Sequence, residues 1–256
     1  MTRRPVDPAR LALVAALLLG PAAPAASAAE ALYLTWAECA LDPSAAHDRG
    51  SGCATNLNQQ DLYCAFRVPT EVDSVLGLEL VLDVQHSAVT MPDWWMFASD
   101  GCRAGELRVS FDFTTSAVCA DFLLGNAAGG LQGYYVGQPR GGAGQARIKM
   151  AASVLPSFGY ATLVPAEMYY GARLTITNIG TVSPGNVCPG CGEPACLVLN
   201  SILLRRQPGA QGGDVFLAAP APANGNFATW QGGTGADCLA VPVRPVTWGR
   251  LKSLYR

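Results

Sequence analysis

The sequence predicts an all-β protein, an antiparallel β-sandwich of jelly-roll-like topology with one or two short helices, held together by disulfides. The first observation is alternation of apolar and polar residues, because successive side chains of a strand point to opposite faces of a sheet. The second is composition, since 28 glycines and 18 prolines supply turns and only 14% of the residues are charged. The third is a set of nine cysteines, all of which follow an export signal.

Residues 1–28 predict a signal peptide. Arginines precede an apolar run, LALVAALLLG, over residues 11–20, and a small-residue cleavage site, ASA, ends at Ala28. The run is about half as long as the roughly twenty residues that a membrane-spanning helix needs. We therefore expect export to the periplasm, the cell surface or the extracellular medium, and a single sandwich domain over residues 29–256 with no membrane span.

Strands follow from the alternation, which is clearest in the segment LRVSFDF that begins at Leu107. Half-polar strands favour antiparallel sheets that share one core. Cys64 lies on the apolar face of its strand, so we expect its thiol in that core. The predicted strands cover residues 31–36, 62–68, 78–85, 107–113, 134–136, 147–150, 170–177, 196–204 and 214–217.

Two short helices are expected. Residues 116–124 can begin at Ser116, and residues 247–255 can begin at Thr247, because both are good N-cap residues. Apolar residues of the second helix recur at helical spacing, so the segment 247–256 predicts a short amphipathic end. It either packs on the sandwich or contacts a partner.

The cysteines predict disulfides, because exported proteins meet oxidising conditions. An odd number leaves at least one thiol over. The nine are Cys39, Cys53, Cys64, Cys102, Cys119, Cys188, Cys191, Cys196 and Cys238.

Proximity in the chain favours a Cys102–Cys119 bond, and it favours Cys53 or Cys39 as the partner of Cys64. In the loop VCPGCGEPAC we expect two cysteines to pair with each other and the third to reach Cys238. A zinc site and a redox-active CxxC pair are the alternatives for this loop. We expect neither a metal nor a cofactor.

Catalytic signals are weak. The chain has two histidines, His47 and His86, and no G-x-S-x-G elbow. Glu79 and Asp83 share the polar face of one predicted strand and are the best pair for a carboxylate-dependent hydrolase. The 17 basic and 19 acidic residues form no Lys/Arg run, which argues against nucleic-acid binding. We expect a non-enzymatic module.

The aromatic residues indicate a ligand site. Trp94 and Trp95 are adjacent, as are Tyr134 and Tyr135, so on strands one member of each pair would face outward. An exposed ring can stack on a sugar. These four residues therefore predict binding of a glycan or a cell-envelope component. A protein–protein or structural role, with the segment 247–256 as the contact, is the alternative.

Four segments carry a resemblance: ALYLTWAECAL, PDWWMFASDGCR, ACLVLNSILL and the ending TWGRLKSLYR. They resemble uncharacterised exported proteins of environmental bacteria that share a TWGxxKxxYR-type ending. The resemblance spans nearly the whole mature chain and implies export, with no activity attached. The general plan is also similar to cohesin-type and carbohydrate-binding sandwiches, which is an analogy of architecture.

Overall fold

The computed structural model of the protein describes residues 29–86, 88–139, 141–221 and 225–232. The predicted signal peptide and the predicted C-terminal helix lie outside these residues. The strands are β1 (Ala31–Trp36), β2 (Asp48–Arg49), β3 (Gln59–Arg67), β4 (Val72–His86), β5 (Leu107–Ser110), β6 (Ala128–Val136), β7 (Gln145–Ser153), β8 (Ala161–Leu163), β9 (Tyr169–Thr177), β10 (Ala195–Arg206), β11 (Val215–Leu217) and β12 (Phe227–Trp230).

These strands form two sheets. One has four strands in the order β1-β3-β9-β5. The other has eight, in the order β2-β12-β10-β4-β7-β6, with β11 beside β10 and β8 beside β4. Neighbours are antiparallel except for β2 and β12, which run parallel. The 15-residue strand β4 is the backbone of the larger sheet, since it pairs with β10 on one side and with β7 and β8 on the other.

The core lies between the two sheets. Leu34, Leu62 and Leu174 are fully buried on the smaller sheet, and they belong to the same apolar cluster as Leu82 and Leu197 of the larger one. Burying each such side chain contributes about 1.5–3 kcal/mol. The predicted fold class, an all-β antiparallel sandwich held by disulfides, is confirmed.

The outer face of the smaller sheet is covered. Tyr63 and Tyr170 point outward there, and Phe113 stacks on Tyr170 with ring centroids 4.3 Å apart. The Cys39–Cys119 disulfide ties the covering loops together. Any open sheet face among the described residues therefore belongs to the larger sheet.

Three disulfides between described cysteines join distant parts of the chain. Besides Cys39–Cys119, the structure contains Cys53–Cys191 and Cys102–Cys188, and the sequence separations are 80, 138 and 86 residues. The predicted Cys102–Cys119 bond is therefore wrong. Strands that meet in a sandwich are far apart in sequence, so proximity along the chain was a poor guide to pairing.

The remaining cysteine predictions also change. Cys64 is buried in the core as expected, but it is a free thiol, so the partners predicted for it at Cys53 or Cys39 are wrong. Cys188 and Cys191 bond outside their loop rather than within it. Cys196 is also disulfide-bonded. Cys238 lies outside the described residues.

The helix predicted at 116–124 is wrong, because this segment consists of a bend, an isolated β-bridge at Ala120 and a turn. Cys119 is fixed by its disulfide, and the carboxylate of Asp121 accepts hydrogen bonds from the amides of Leu123 (3.0 Å) and Gly125 (2.9 Å). This local bonding competes with helical hydrogen bonds. Leu124 and Gly125 then take positive φ angles of 50° and 69°, which ends any helix.

Candidate functional site

Trp94 and Trp95 lie in the core. They belong to a single 3-10 turn, Asp93–Trp95, and both are fully buried. Trp94 stacks on Trp230 at a centroid distance of 4.9 Å, and its Nε1 donates to the hydroxyl of Thr181 at 3.0 Å. The prediction that one of the two tryptophans faces outward is wrong, because alternation applies to strands and this turn directs both rings inward.

Arg103 holds this cluster in place. Its guanidinium carbon lies 3.9 Å from the centroid of the Trp94 ring. It donates to the carbonyls of Trp94 (2.9 Å), Ile179 (3.0 Å) and Thr177. Burial lowers the pKa of Arg103 to about 10, so the side chain remains charged at neutral pH. A buried cation that is satisfied by carbonyls and an aromatic face serves structure.

Tyr134 and Tyr135 take opposite sides of β6. Tyr134 is buried, its hydroxyl donates to the carbonyl of Trp95, and burial raises its pKa. Tyr135 points outward with 40% of its surface exposed. Of the four aromatic residues predicted to bind a ligand, Tyr135 is therefore the one that reaches solvent.

The surroundings of Tyr135 keep its ring close to the sheet. A side chain at Gly133 would clash with this ring, because a Cβ built there would lie 2.5 Å from the Tyr135 Cζ. The ammonium of Lys149, on β7, is 5.3 Å from the ring centroid. Glycine at 133 thus permits the aromatic ring to lie against the strand beside a cation.

Strand pairing defines the neighbouring surface. Two rows of residues lie side by side across the outer face of the larger sheet. Several of them are glycine, alanine or serine, so the surface is depressed at these positions. The first row is Gly133, Lys149, Val81 and Ser201, and the second is Gly130, Ala151, Glu79, Leu203 and Phe216.

A shallow depression follows these rows, which we call the sheet trough. It consists of two adjoining hollows of about 320 and 260 Å³ that share Glu79, Gln132 and Ala151. Arg205 lines the first hollow and Lys149 the second. Tyr135 lines neither hollow, but its ring lies beside Lys149 and therefore adjoins the second one.

Ion pairs fix one end of the sheet trough. Arg205 donates to the carboxylates of Glu79 and Asp214, each at 2.6 Å. Hydrogen bonds from the Arg206 amide and then from Arg205 lower the pKa of Asp214. The Arg205 guanidinium, a donor, and the Glu79 and Asp214 carboxylates, which are acceptors, are thereby held beside the trough.

The carboxylate pair considered for a hydrolase does not form an active site. The side chain of Asp83 is fully buried, and it accepts hydrogen bonds from Arg147 (2.7 and 2.8 Å) and Asn200 (2.6 Å). Glu79 is four residues away along the strand, about 13 Å. That separation exceeds the roughly 5–9.5 Å between glycosidase carboxylates.

The cysteine loop and His86 also serve structure. Because Cys188, Cys191 and Cys196 are in disulfides, the zinc and redox alternatives for this loop are wrong. Within the described ranges, no cluster of three metal-ligating side chains occurs.

The His86 side chain is buried, its Nδ1 accepts from the Ala88 amide at 3.0 Å, and burial lowers its pKa.

Sequence reasoning missed most of the sheet trough. The strand predicted at 134–136 is only the end of β6, which begins at Ala128. Lys149 occupies a polar position in an alternating strand, which was a signal that its side chain lies on the outer face of the sheet. The alignment of Gln132 and Glu79 was not visible, because it depends on the pairing of β6, β7 and β4.

Comparisons with known proteins add little. No family model and no curated protein matches the chain. Among solved structures, a cohesin module from a family 33 glycoside hydrolase of Clostridium perfringens is similar over 78% of this chain and 94% of its own length. The two are 8% identical with a TM-score of 0.34, a likeness too distant to carry an argument. Across the residues described, no helix has the length and apolar character to cross a membrane.

Proposed function

We propose that this protein is an exported, non-enzymatic binding module whose sheet trough holds a glycan of the cell envelope or its surroundings. The observation that carries the proposal is the ring of Tyr135, which is 40% exposed and lies beside Lys149, a residue that lines the trough. The apolar face of a sugar can stack on such a ring. Gln132 and Lys149 supply hydrogen-bond donors beside it, and Glu79 supplies an acceptor.

The shape of the trough favours an extended polymer over a compact ligand. Small residues, Ala128, Gly129 and Ala151, form part of its floor, and it runs across the strands rather than into the core. From β6, which carries Tyr135, to β11, which carries Phe216, the larger sheet spans four strand spacings, about 19 Å. A chain of several sugars fits such a surface.

Export is the second part of the proposal. Three disulfides, each closing a loop of 80 residues or more, fit an oxidising compartment. The signal-like residues 1–28 and the resemblance to uncharacterised exported bacterial proteins support the same location. An alkaline phosphatase fusion to residues 1–28 tests it, since the reporter becomes active only when it is exported. An inactive fusion would contradict this part.

A glycan array followed by affinity electrophoresis tests the ligand. We expect the mature protein to be retarded in gels that contain its best-binding glycan. Tyr135→Ala and Gln132→Ala should each weaken binding by about tenfold, because each removes a direct contact. Tyr160→Ala is the matched control, since Tyr160 is also 40% exposed but lies away from the trough. Absence of any bound glycan, or equal retardation of Tyr135→Ala, would contradict the proposal.

A further inference from the structure

A second concave surface lies at one end of the sandwich, beside β8. It is a cavity of about 270 Å³ between the turn at 122–126 and the loop at 154–162. We call it the apolar end pocket. None of the described residues that line it is charged, and aromatic or aliphatic side chains dominate. Its principal walls are Phe122, Leu124, Phe158, Tyr160 and Tyr169.

Large apolar side chains are unusually exposed at its rim. Leu124 is 73% exposed and Phe158 is 60% exposed, and Leu155 on the same loop is also exposed. Leu124 has a φ of 50°, a costly conformation for a branched residue, and the Asp121 carboxylate stabilises the turn that imposes it. Grouped exposed apolar residues of this kind mark interaction sites.

Several polar groups around the pocket already have hydrogen-bond partners. The Asn126 side-chain amide donates to the Leu124 carbonyl at 3.1 Å. The hydroxyl of Tyr169 accepts from the amide of Val164 at 2.7 Å, and the Phe158 amide donates to the Leu155 carbonyl at 3.0 Å. Aliphatic and aromatic side chains make up most of the lining, so the surface suits an apolar group.

The flanking charge is acidic. The segments that carry the pocket and the adjoining start of β4 contain Glu71, Asp73, Asp121 and Glu167. Arg206, which pairs with Val75 across the sheet, forms an ion pair with Asp73. The other three carboxylates then face one further basic residue, Arg67. This charge repels an anionic lipid surface, and a second copy of the chain would bring the same acidic rim to the contact. It favours a partner with positive charges beside its apolar anchor.

We infer that the apolar end pocket is a docking site for a protein partner that inserts one aliphatic or aromatic side chain flanked by Lys or Arg. The cavity suits a single anchor side chain, which is how small interfaces concentrate their binding energy. The acidic flanks then orient the segment and hasten its association. This interaction is independent of the glycan proposed for the sheet trough.

A random peptide library displayed on phage, selected on the mature protein, tests the inference. We expect enriched peptides to share an apolar anchor next to Lys or Arg. Synthetic versions should lose about tenfold or more in affinity for the Leu124→Ala/Phe158→Ala variant. Leu57→Ala is the matched control, because Leu57 is a 92% exposed apolar residue that lines neither the pocket nor the trough. Glu71→Gln/Glu167→Gln should weaken binding and reduce its dependence on salt.

Three results would overturn the inference. The first is a selection without enrichment, and the second is binding that Leu124→Ala/Phe158→Ala leaves unchanged. The third is that no peptide binds, whereas the protein self-associates in ultracentrifugation or floats with phosphatidylglycerol vesicles and Leu124→Ala/Phe158→Ala abolishes that behaviour. Each variant changes only exposed side chains, and circular dichroism checks that it is folded.

Discussion

Strand β6 contributes residues to two different regions, the buried cluster around Arg103 and the surface beside the sheet trough. Tyr134 faces the cluster and hydrogen-bonds to Trp95, whereas Tyr135 faces solvent beside Lys149. The cluster is closed by the Cys102–Cys188 bond, while the trough is open and lined by small residues. Aromatic residues that stand out in the sequence can therefore belong to the core. On β6, the alternation of side chains decides which of the two tyrosines is left for binding.

The largest expected effect is on the closed region. Replacing Cys102 and Cys188 by alanine removes a bond that spans 86 residues, so the free energy of unfolding should fall by about 4–5 kcal/mol. Urea denaturation measures it. Cys64→Ala is the control, because Cys64 is a buried but free thiol, and it should cost only about 1 kcal/mol. A loss from the double variant no larger than that of the control would show that the bond does not hold the cluster.

The second-largest loss of stability should follow replacement of Arg103. Arg103→Met leaves three carbonyls without their donor, and we expect a loss of about 3–4 kcal/mol. The matched variant Arg205→Met, at the exposed end of the trough, should lose about 1 kcal/mol or less, since its ion pairs are in solvent. Equal losses in the two variants would break the contrast between the regions.

The neighbouring tyrosines give a finer comparison. Tyr134→Phe removes the hydroxyl that donates to the Trp95 carbonyl, which keeps its bond from the Phe97 amide at 3.2 Å, and the loss of one buried hydrogen bond should cost about 1 kcal/mol. Tyr135→Phe removes an exposed hydroxyl and should change stability by less than about 0.5 kcal/mol. Thermal and urea denaturation of the pair provide the measurement. If Tyr135→Phe proved the more destabilising of the two, the assignment of sides would be wrong.

The smallest effect concerns pH. Burial lowers the pKa of His86 below its unfolded value of about 6.5, so the unfolded chain binds more protons just below that pH. The free energy of unfolding should therefore fall on acidification from about pH 7 to pH 5, and His86→Gln should remove that part of the slope. Hydrogen bonds lower the pKa values of Asp112 and Asp214, so these carboxyls affect stability at more acidic pH and provide an internal control. An unchanged slope in His86→Gln would contradict the account.

The sequence predicted the fold class because alternation is a local property. The strand expected at 78–85 lies within β4, and that at 170–177 matches β9. Contacts that depend on distant segments were not predictable, such as the disulfides and the burial of both Trp94 and Trp95. The direction of Tyr135 follows from alternation with Tyr134, but the sheet trough required the register of four strands.

Tyrosine nitration by tetranitromethane, read by peptide mass spectrometry, tests the central claim most directly. Tyr134 and Tyr135 lie on one peptide, so their reactivities are compared in the same molecule. We expect nitration of Tyr135 and none of Tyr134 in the folded protein, because burial raises the Tyr134 pKa and keeps the reagent out. The glycan that binds best on the array should protect Tyr135. Nitration of Tyr134 at the rate of Tyr135, or a bound glycan that leaves Tyr135 unprotected, would contradict the account.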